Sequence, residues 1–96
     1  MKKVYDVVLE TSVGKRIGTM DVNNDCDLIS GVLHILKQAE PFTGKVDDAG
    51  KCRIQGNLST LMRRIPYFAV GTITDQVDLE LNCGKDTFRL VGKQCV

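Results

Sequence analysis

Tryptophan is absent from this 96-residue sequence, and aromatic residues, prolines and histidines are few. A stacking platform for single-stranded nucleic acid needs several exposed aromatic rings. The formal net charge of +1 gives no overall attraction to nucleic acid or anionic lipid. No apolar run approaches the length of a membrane-spanning helix, and Asp6 interrupts the apolar stretch that a signal peptide needs after Lys2 and Lys3. We therefore expect a soluble cytoplasmic protein without a nucleic-acid or membrane partner.

Recognisable catalytic and metal-binding patterns are also missing from the sequence. His34 is the only histidine, and no serine or cysteine has an identifiable base partner. Gly14-Lys15 and Gly84-Lys85 lack the rest of a phosphate-binding loop, and the turn at 47–50 lacks the ligand spacing of a calcium loop. The sequence predicts a protein that is not an enzyme, with no catalytic residue, metal site or cofactor.

The four cysteines have neither the close spacing of a zinc site nor the density of a disulfide scaffold. Free cysteine usually behaves as a small apolar residue. We expect Cys26, Cys52, Cys83 and Cys95 to be buried or half-buried thiols in a reducing compartment.

The sequence repeats itself within a single domain, residues 1–96. The copies span about 18–43 and 44–70, and a partial third copy starts at Gly71. Gly18-Thr-Met-Asp21 matches Gly44-Lys-Val-Asp47, and each is followed at the same spacing by a cysteine, Cys26 or Cys52. The segment from Gly31-x-Leu33 to Pro41-Phe42 matches the segment from Gly56-x-Leu58 to Pro66-Tyr67. Each copy is too small to bury its own apolar face, so the copies must pack together.

Turn signals divide the chain into eight segments of about nine residues with two-residue alternation. Longer connections are expected around 36–39 and 61–64, with at most a helical turn in each. These spacings predict an all-β fold, an antiparallel up-and-down meander that closes into a small barrel. A two-sheet sandwich of the same strands is the alternative.

One register sorts the whole chain into an apolar inner face and a polar outer face. The expected inward residues are Tyr5, Val7, Leu9, Arg16, Gly18, Met20, Ile29, Gly31, Leu33, Phe42, Gly44, Val46, Ile54, Gly56, Leu58, Tyr67, Ala69, Gly71, Ile73, Val77, Leu79, Leu81, Phe88 and Leu90. His34 falls on the outer face.

Small residues line the middle of the predicted barrel on five consecutive strands: Gly18, Gly31, Gly44, Gly56 and Ala69. Glycine weakens a strand, so these positions need a reason. In the interpretation that we favour, these small residues let the strands coil tightly around large neighbouring side chains. In the alternative, they leave a cavity for a small ligand.

Charge separates between the two ends of the predicted barrel. Aspartates collect at one end, and the other, called the basic mouth, carries Lys15, Arg16, Lys37, Arg63, Arg64 and Lys85. The register aims Arg16 inward beside Phe42, Tyr67 and Phe88, an arrangement suited to an anionic group on an apolar ligand. Alternatively, the Arg16 stem packs over the aromatic rings while its head reaches water or pairs with a carboxylate.

Several turn motifs carry a resemblance to a known domain. Thr11-Ser12-Val13-Gly14, Gly18-Thr19-Met20, the segment from Pro41 to Asp47 and Gly56-x-Leu58 resemble an uncharacterised small bacterial all-β domain with repeated hairpins. Ser12 stands where that domain's pattern has proline. The resemblance implies a lipocalin-like barrel shape that occurs alone or beside enzyme domains. It implies no activity and no site residue.

Two functions remain open. In the first, the barrel binds a compact, partly apolar anion at the basic mouth, where Arg16, Arg63, Arg64 and Lys85 steer the ligand and Phe42, Tyr67 and Phe88 contact it. In the second, the protein is a non-catalytic interaction module that docks an acidic partner or a second copy of itself. Leu61, Met62 and Ile65 would supply the apolar part of that surface.

Overall fold

A computed structural model describes residues 2–12, 14–35, 37–59 and 64–95. Eight strands follow one another along the chain and are numbered β1 to β8. They are β1 Lys2–Thr11, β2 Gly14–Asp25, β3 Leu28–Ile35, β4 Gln38–Val46, β5 Lys51–Ser59, β6 Arg64–Ile73, β7 Gln76–Cys83 and β8 Asp86–Gln94. No helix in these ranges is long and apolar enough to cross a membrane.

The strands close into a barrel in which each pairs antiparallel with its neighbours in sequence, and β1 completes the circle by pairing with β8. Leu9 of β1, for example, lies opposite Arg16 of β2 on one side and Leu90 of β8 on the other. Closure leaves neither β1 nor β8 as an exposed edge strand. The predicted eight-stranded barrel is therefore confirmed.

The inward side chains form one contiguous apolar cluster that fills the barrel. Val7, Leu79 and Leu90 are each 1% exposed and pack in its middle. An eight-stranded barrel is just wide enough for its own side chains to fill. Nearly all of the expected inward side chains are buried or half-buried, and Arg16 is the exception. The cluster also contains residues outside the expected set, namely Val22, Ile35, Cys52 and Cys83.

The inward glycines lie where the backbone of a neighbouring strand approaches closely. A Cβ atom on Gly31 would stand 1.8 Å from the carbonyl oxygen of Asp21, and one on Gly44 would stand 1.9 Å from that of Arg53. Neither glycine has a positive φ angle, so space rather than backbone conformation requires glycine there. The adjacent strand occupies the room that a side chain would need, which favours the tight-coiling interpretation of the glycines.

The connection between β3 and β4 is shorter than expected. Ile35 pairs with Gln38, so the longer break predicted around 36–39 is wrong. Lys37, with a φ of 62°, lies in this tight turn, and β4 continues directly through Pro41. The other long connection, at 61–64, falls largely outside the described residues.

The cysteines divide into two buried and two exposed thiols, all of them free. Cys52 of β5 and Cys83 of β7 are buried, as expected. Cys26 and Cys95 are exposed, so the expectation of burial is wrong for these two. Cys26 lies in the β2–β3 turn with a φ of 58°, whereas Cys52, its counterpart in the sequence repeat, lies within a strand.

Candidate functional site

The aromatic residues predicted for the basic mouth lie inside the core. Phe42 and Tyr67 are each 2% exposed and flank Gly56, with which both are in register. Phe88 is half-buried and packs against the same core. These rings therefore present little surface to a ligand at the mouth.

The described cations predicted for the basic mouth have separate surroundings. Arg16 is exposed, and its Nη1 donates a hydrogen bond of 3.3 Å to the carbonyl of Lys15. Because β2 pairs with β3 only from Thr19 onward, no residue of β3 lies opposite Arg16. Lys85 is exposed in the β7–β8 turn. Arg63 lies outside the described residues, as do Leu61 and Met62.

Arg64, the last of the four cations predicted to steer a ligand, is engaged in a polar cluster that the sequence did not reveal. Its Nη2 donates to Oε2 of Glu40 over 3.1 Å, and the Ser59 hydroxyl donates to Oε1 of the same carboxylate. Glu40 is buried at the place where the β4–β5 ladder ends, next to the Phe42–Gly56 pair. The cluster thus joins β4 to the Ser59–Arg64 pair of β5 and β6, beyond the end of the β4–β5 ladder.

Tyr67 lies close to this cluster. Burial, together with the neighbouring Cys83 and Glu40, raises the pKa of its phenol to about 12. The phenol is therefore neutral at physiological pH. A neutral, buried phenol contributes to the core and does not act as a base.

A concave region lies on the outside of the barrel, across β4, β5 and β6. It has a volume of about 1050 Å³. We call it the outer groove and define it by its outward-facing residues: Thr43, Lys45, Lys51, Arg53, Gln55, Phe68, Val70 and Thr72. Phe68 is 65% exposed and Val70 is 43% exposed. Gly44 and Gly71 also line it, and at both glycines the backbone of a neighbouring strand approaches closely.

The charges in the outer groove are unusual for this barrel. Lys45 and Arg53 lie directly opposite each other on β4 and β5, and Val70 follows in the same row. Like charges opposite each other destabilise a sheet. Farther along that row the neighbours carry opposite charges: Glu80 lies opposite Arg89, Arg89 opposite Glu10 and Glu10 opposite Lys15.

Two carboxylates, Asp27 and Asp47, also line the outer groove, and Asp47 accepts hydrogen bonds from the backbone N–H groups of Ala49 and Lys51. In the part of the chain that the structure describes, neither Lys45 nor Arg53 has an acidic group within ion-pair distance. Arg89, by contrast, donates to Asp78 on the neighbouring strand over 3.0 Å. The outer groove therefore combines exposed apolar surface with two neighbouring cations, Lys45 and Arg53, that form no ion pair with a described residue.

Sequence reasoning placed Lys45, Arg53 and Gln55 on the outer face but did not identify the groove. The available signal was the run Tyr67-Phe68-Ala69-Val70, in which both alternating faces of β6 are apolar. A strand with one face in water normally alternates apolar and polar residues. Two consecutive outward apolar residues were therefore the mark of a covered or binding surface.

His34 also lies where the register predicted, on the outer face, with its Nε2 3.3 Å from Oδ2 of Asp21. Among the residues with described positions, no group of three or more histidine, cysteine, aspartate or glutamate side chains is arranged to hold a metal ion.

Comparison of the chain with protein-family models, with curated proteins and with solved structures finds no match. The resemblance carried by the turn motifs therefore stays a prediction, and the candidate site rests on the geometry of this chain.

Proposed function

We propose that the protein is a non-catalytic docking module that binds an acidic, partly apolar protein partner in the outer groove. The observation that carries the proposal is that the Lys45–Arg53 pair lies beside the exposed ring of Phe68 and the exposed methyl groups of Val70. A carboxylate between the two cations would relieve their repulsion, and an apolar side chain would cover the exposed surface.

The shape of the outer groove favours a protein segment over a small molecule. Small-molecule sites usually enclose most of the ligand surface in a cleft of about 300–1,000 Å³. The outer groove is open along the strands, and its apolar and charged parts are spread over three of them. A chain with several side chains can contact all of these parts at once.

The four free thiols suit a reducing compartment, and we propose that the protein acts in the cytoplasm.

Selection from a phage library of random peptides tests this function. We expect the enriched peptides to combine aspartate or glutamate with leucine or an aromatic residue. Recovery of these peptides should fall at least tenfold on the Phe68→Ser variant, because an aromatic residue at the centre of an interface is a typical energetic anchor.

Ile17→Ser is the matched control. Ile17 is also apolar and outward-facing, at 83% exposure, but lies on β2 outside the outer groove. The Ile17→Ser variant should recover the acidic peptides as well as the parent protein does. Peptides without acidic residues, or acidic peptides recovered equally well on Phe68→Ser, would contradict the proposed function.

A further inference from the structure

A second concave region continues the outer groove toward the basic mouth. It has a volume of about 390 Å³ and shares Thr43 and Gln55 with the outer groove. Pro41, Asn57 and Pro66 line its far part. The two regions therefore form one track along β5, with cations in one half and prolines in the other.

The outward residues of β5 set the spacing of this track. Arg53, Gln55 and Asn57 follow one another at every second position. Alternate residues of an extended strand are about 7 Å apart, which is also the repeat of an extended peptide lying beside it. A peptide along β5 would therefore meet one of these side chains at each repeat.

The side-chain amides of Gln55 and Asn57 on β5 can form further hydrogen bonds. Within the described residues, neither the Gln55 nor the Asn57 side chain makes a hydrogen bond to the protein. A side-chain amide both donates and accepts, so it can bind the N–H and the C=O of a peptide backbone. Pro41 and Pro66 lie next to these two amides and have no backbone N–H group, so they do not compete with the amides for the carbonyl groups of the peptide.

We propose that the partner enters as an extended segment of about six residues that lies along β5. This inference rests on the proposed function and specifies how the partner binds. Acidic side chains of the segment lie over Lys45 and Arg53, and its apolar side chains cover Val70 and Phe68. Its backbone then continues over Gln55 and Asn57 to the two prolines. From Thr72 to Pro66 the track measures six residue steps, or about 20 Å.

Three capped, fluorescein-labelled peptides test the direction and length of this track by fluorescence anisotropy. The core peptide has two glutamates followed by two leucines. One hexapeptide adds two alanines at the leucine end, over Asn57, and the other adds them at the glutamate end, away from Asn57. Alanine adds backbone with little side chain, so a gain in affinity reports backbone contacts.

We expect the leucine-end extension to tighten binding about tenfold, because it adds two or more hydrogen bonds, and the glutamate-end extension to change it less than twofold. Asn57→Ala should remove most of the gain and leave the affinity of the tetrapeptide unchanged. Asn23→Ala, at an exposed asparagine of β2, is the matched control and should have no effect.

The outcomes separate this inference from the proposed function. If all three peptides bind with equal affinity, or if Asn57→Ala leaves the gain intact, the extended track is wrong while the docking surface stands. If none of the peptides binds, or if Phe68→Ser leaves their binding unchanged, the proposed function fails as well.

Discussion

Replacing Gly44 by alanine is expected to lower the free energy of unfolding by about 3 kcal/mol, the upper range for overpacking a well-packed site. The added Cβ would stand 1.9 Å from the Arg53 carbonyl oxygen and 2.7 Å from the Cα of Ile54. Both of these are backbone atoms of β5, so no side chain can rotate to make room. The strand that carries Arg53 must move instead. Urea denaturation followed by far-UV circular dichroism measures the change.

Gly84→Ala separates crowding from the backbone preference of glycine. Gly84 has a φ of 72°, which favours glycine, but an added Cβ would have no atom within 4 Å. We expect this variant to lose about 1 kcal/mol from backbone strain alone. Equal losses for Gly44→Ala and Gly84→Ala would contradict the close packing of β4 against β5.

The protein is expected to lose about 2 kcal/mol of stability through Tyr67 when the pH is raised from about 9 to about 11.5. The phenol ionises near its ordinary pKa of 10.0 in the unfolded chain, but burial raises its pKa to about 12 in the folded barrel. Above pH 10 the unfolded state therefore releases a proton that the folded state retains. The contribution is complete below pH 10 and is lost as the pH rises toward 12.

Tyr67→Phe is the control for this loss. It keeps the ring in the core and removes the ionising group, so urea midpoints at the two pH values should differ less than in the parent protein. Some dependence should persist, because burial and the nearby Asp47 raise the pKa of the Cys52 thiol to about 11. If Tyr67→Phe loses as much stability with pH as the parent, the phenol is not buried as described.

The strands and their inward faces could be predicted because two-residue alternation is a local property of the sequence. Turn residues mark the ends of each segment, and one choice of register then buries Tyr5, Leu33 and Leu79 together. Arg16 shows that alternation alone does not predict burial. Alternation assigns it correctly to the inner side of β2, but only the lengths of the neighbouring strands decide whether anything covers it.

The outer groove and the Glu40 cluster depend on features that alternation does not contain. The groove includes Gly44 and Gly71, where neighbouring strands approach each other closely, and those close distances join residues of different strands. Alternation from Phe42 puts Glu40 on the inner face of β4, but its partners Ser59 and Arg64 come close to it only through strand pairing.

A ¹⁵N-labelled NMR titration with the most enriched display peptide tests most directly where the partner binds. We predict that the largest amide shift changes fall on β4, β5 and β6, around Thr43, Gln55 and Phe68. Changes concentrated instead at Arg16, Lys85 and Phe88 would place binding at the basic mouth and contradict the docking surface proposed for this barrel.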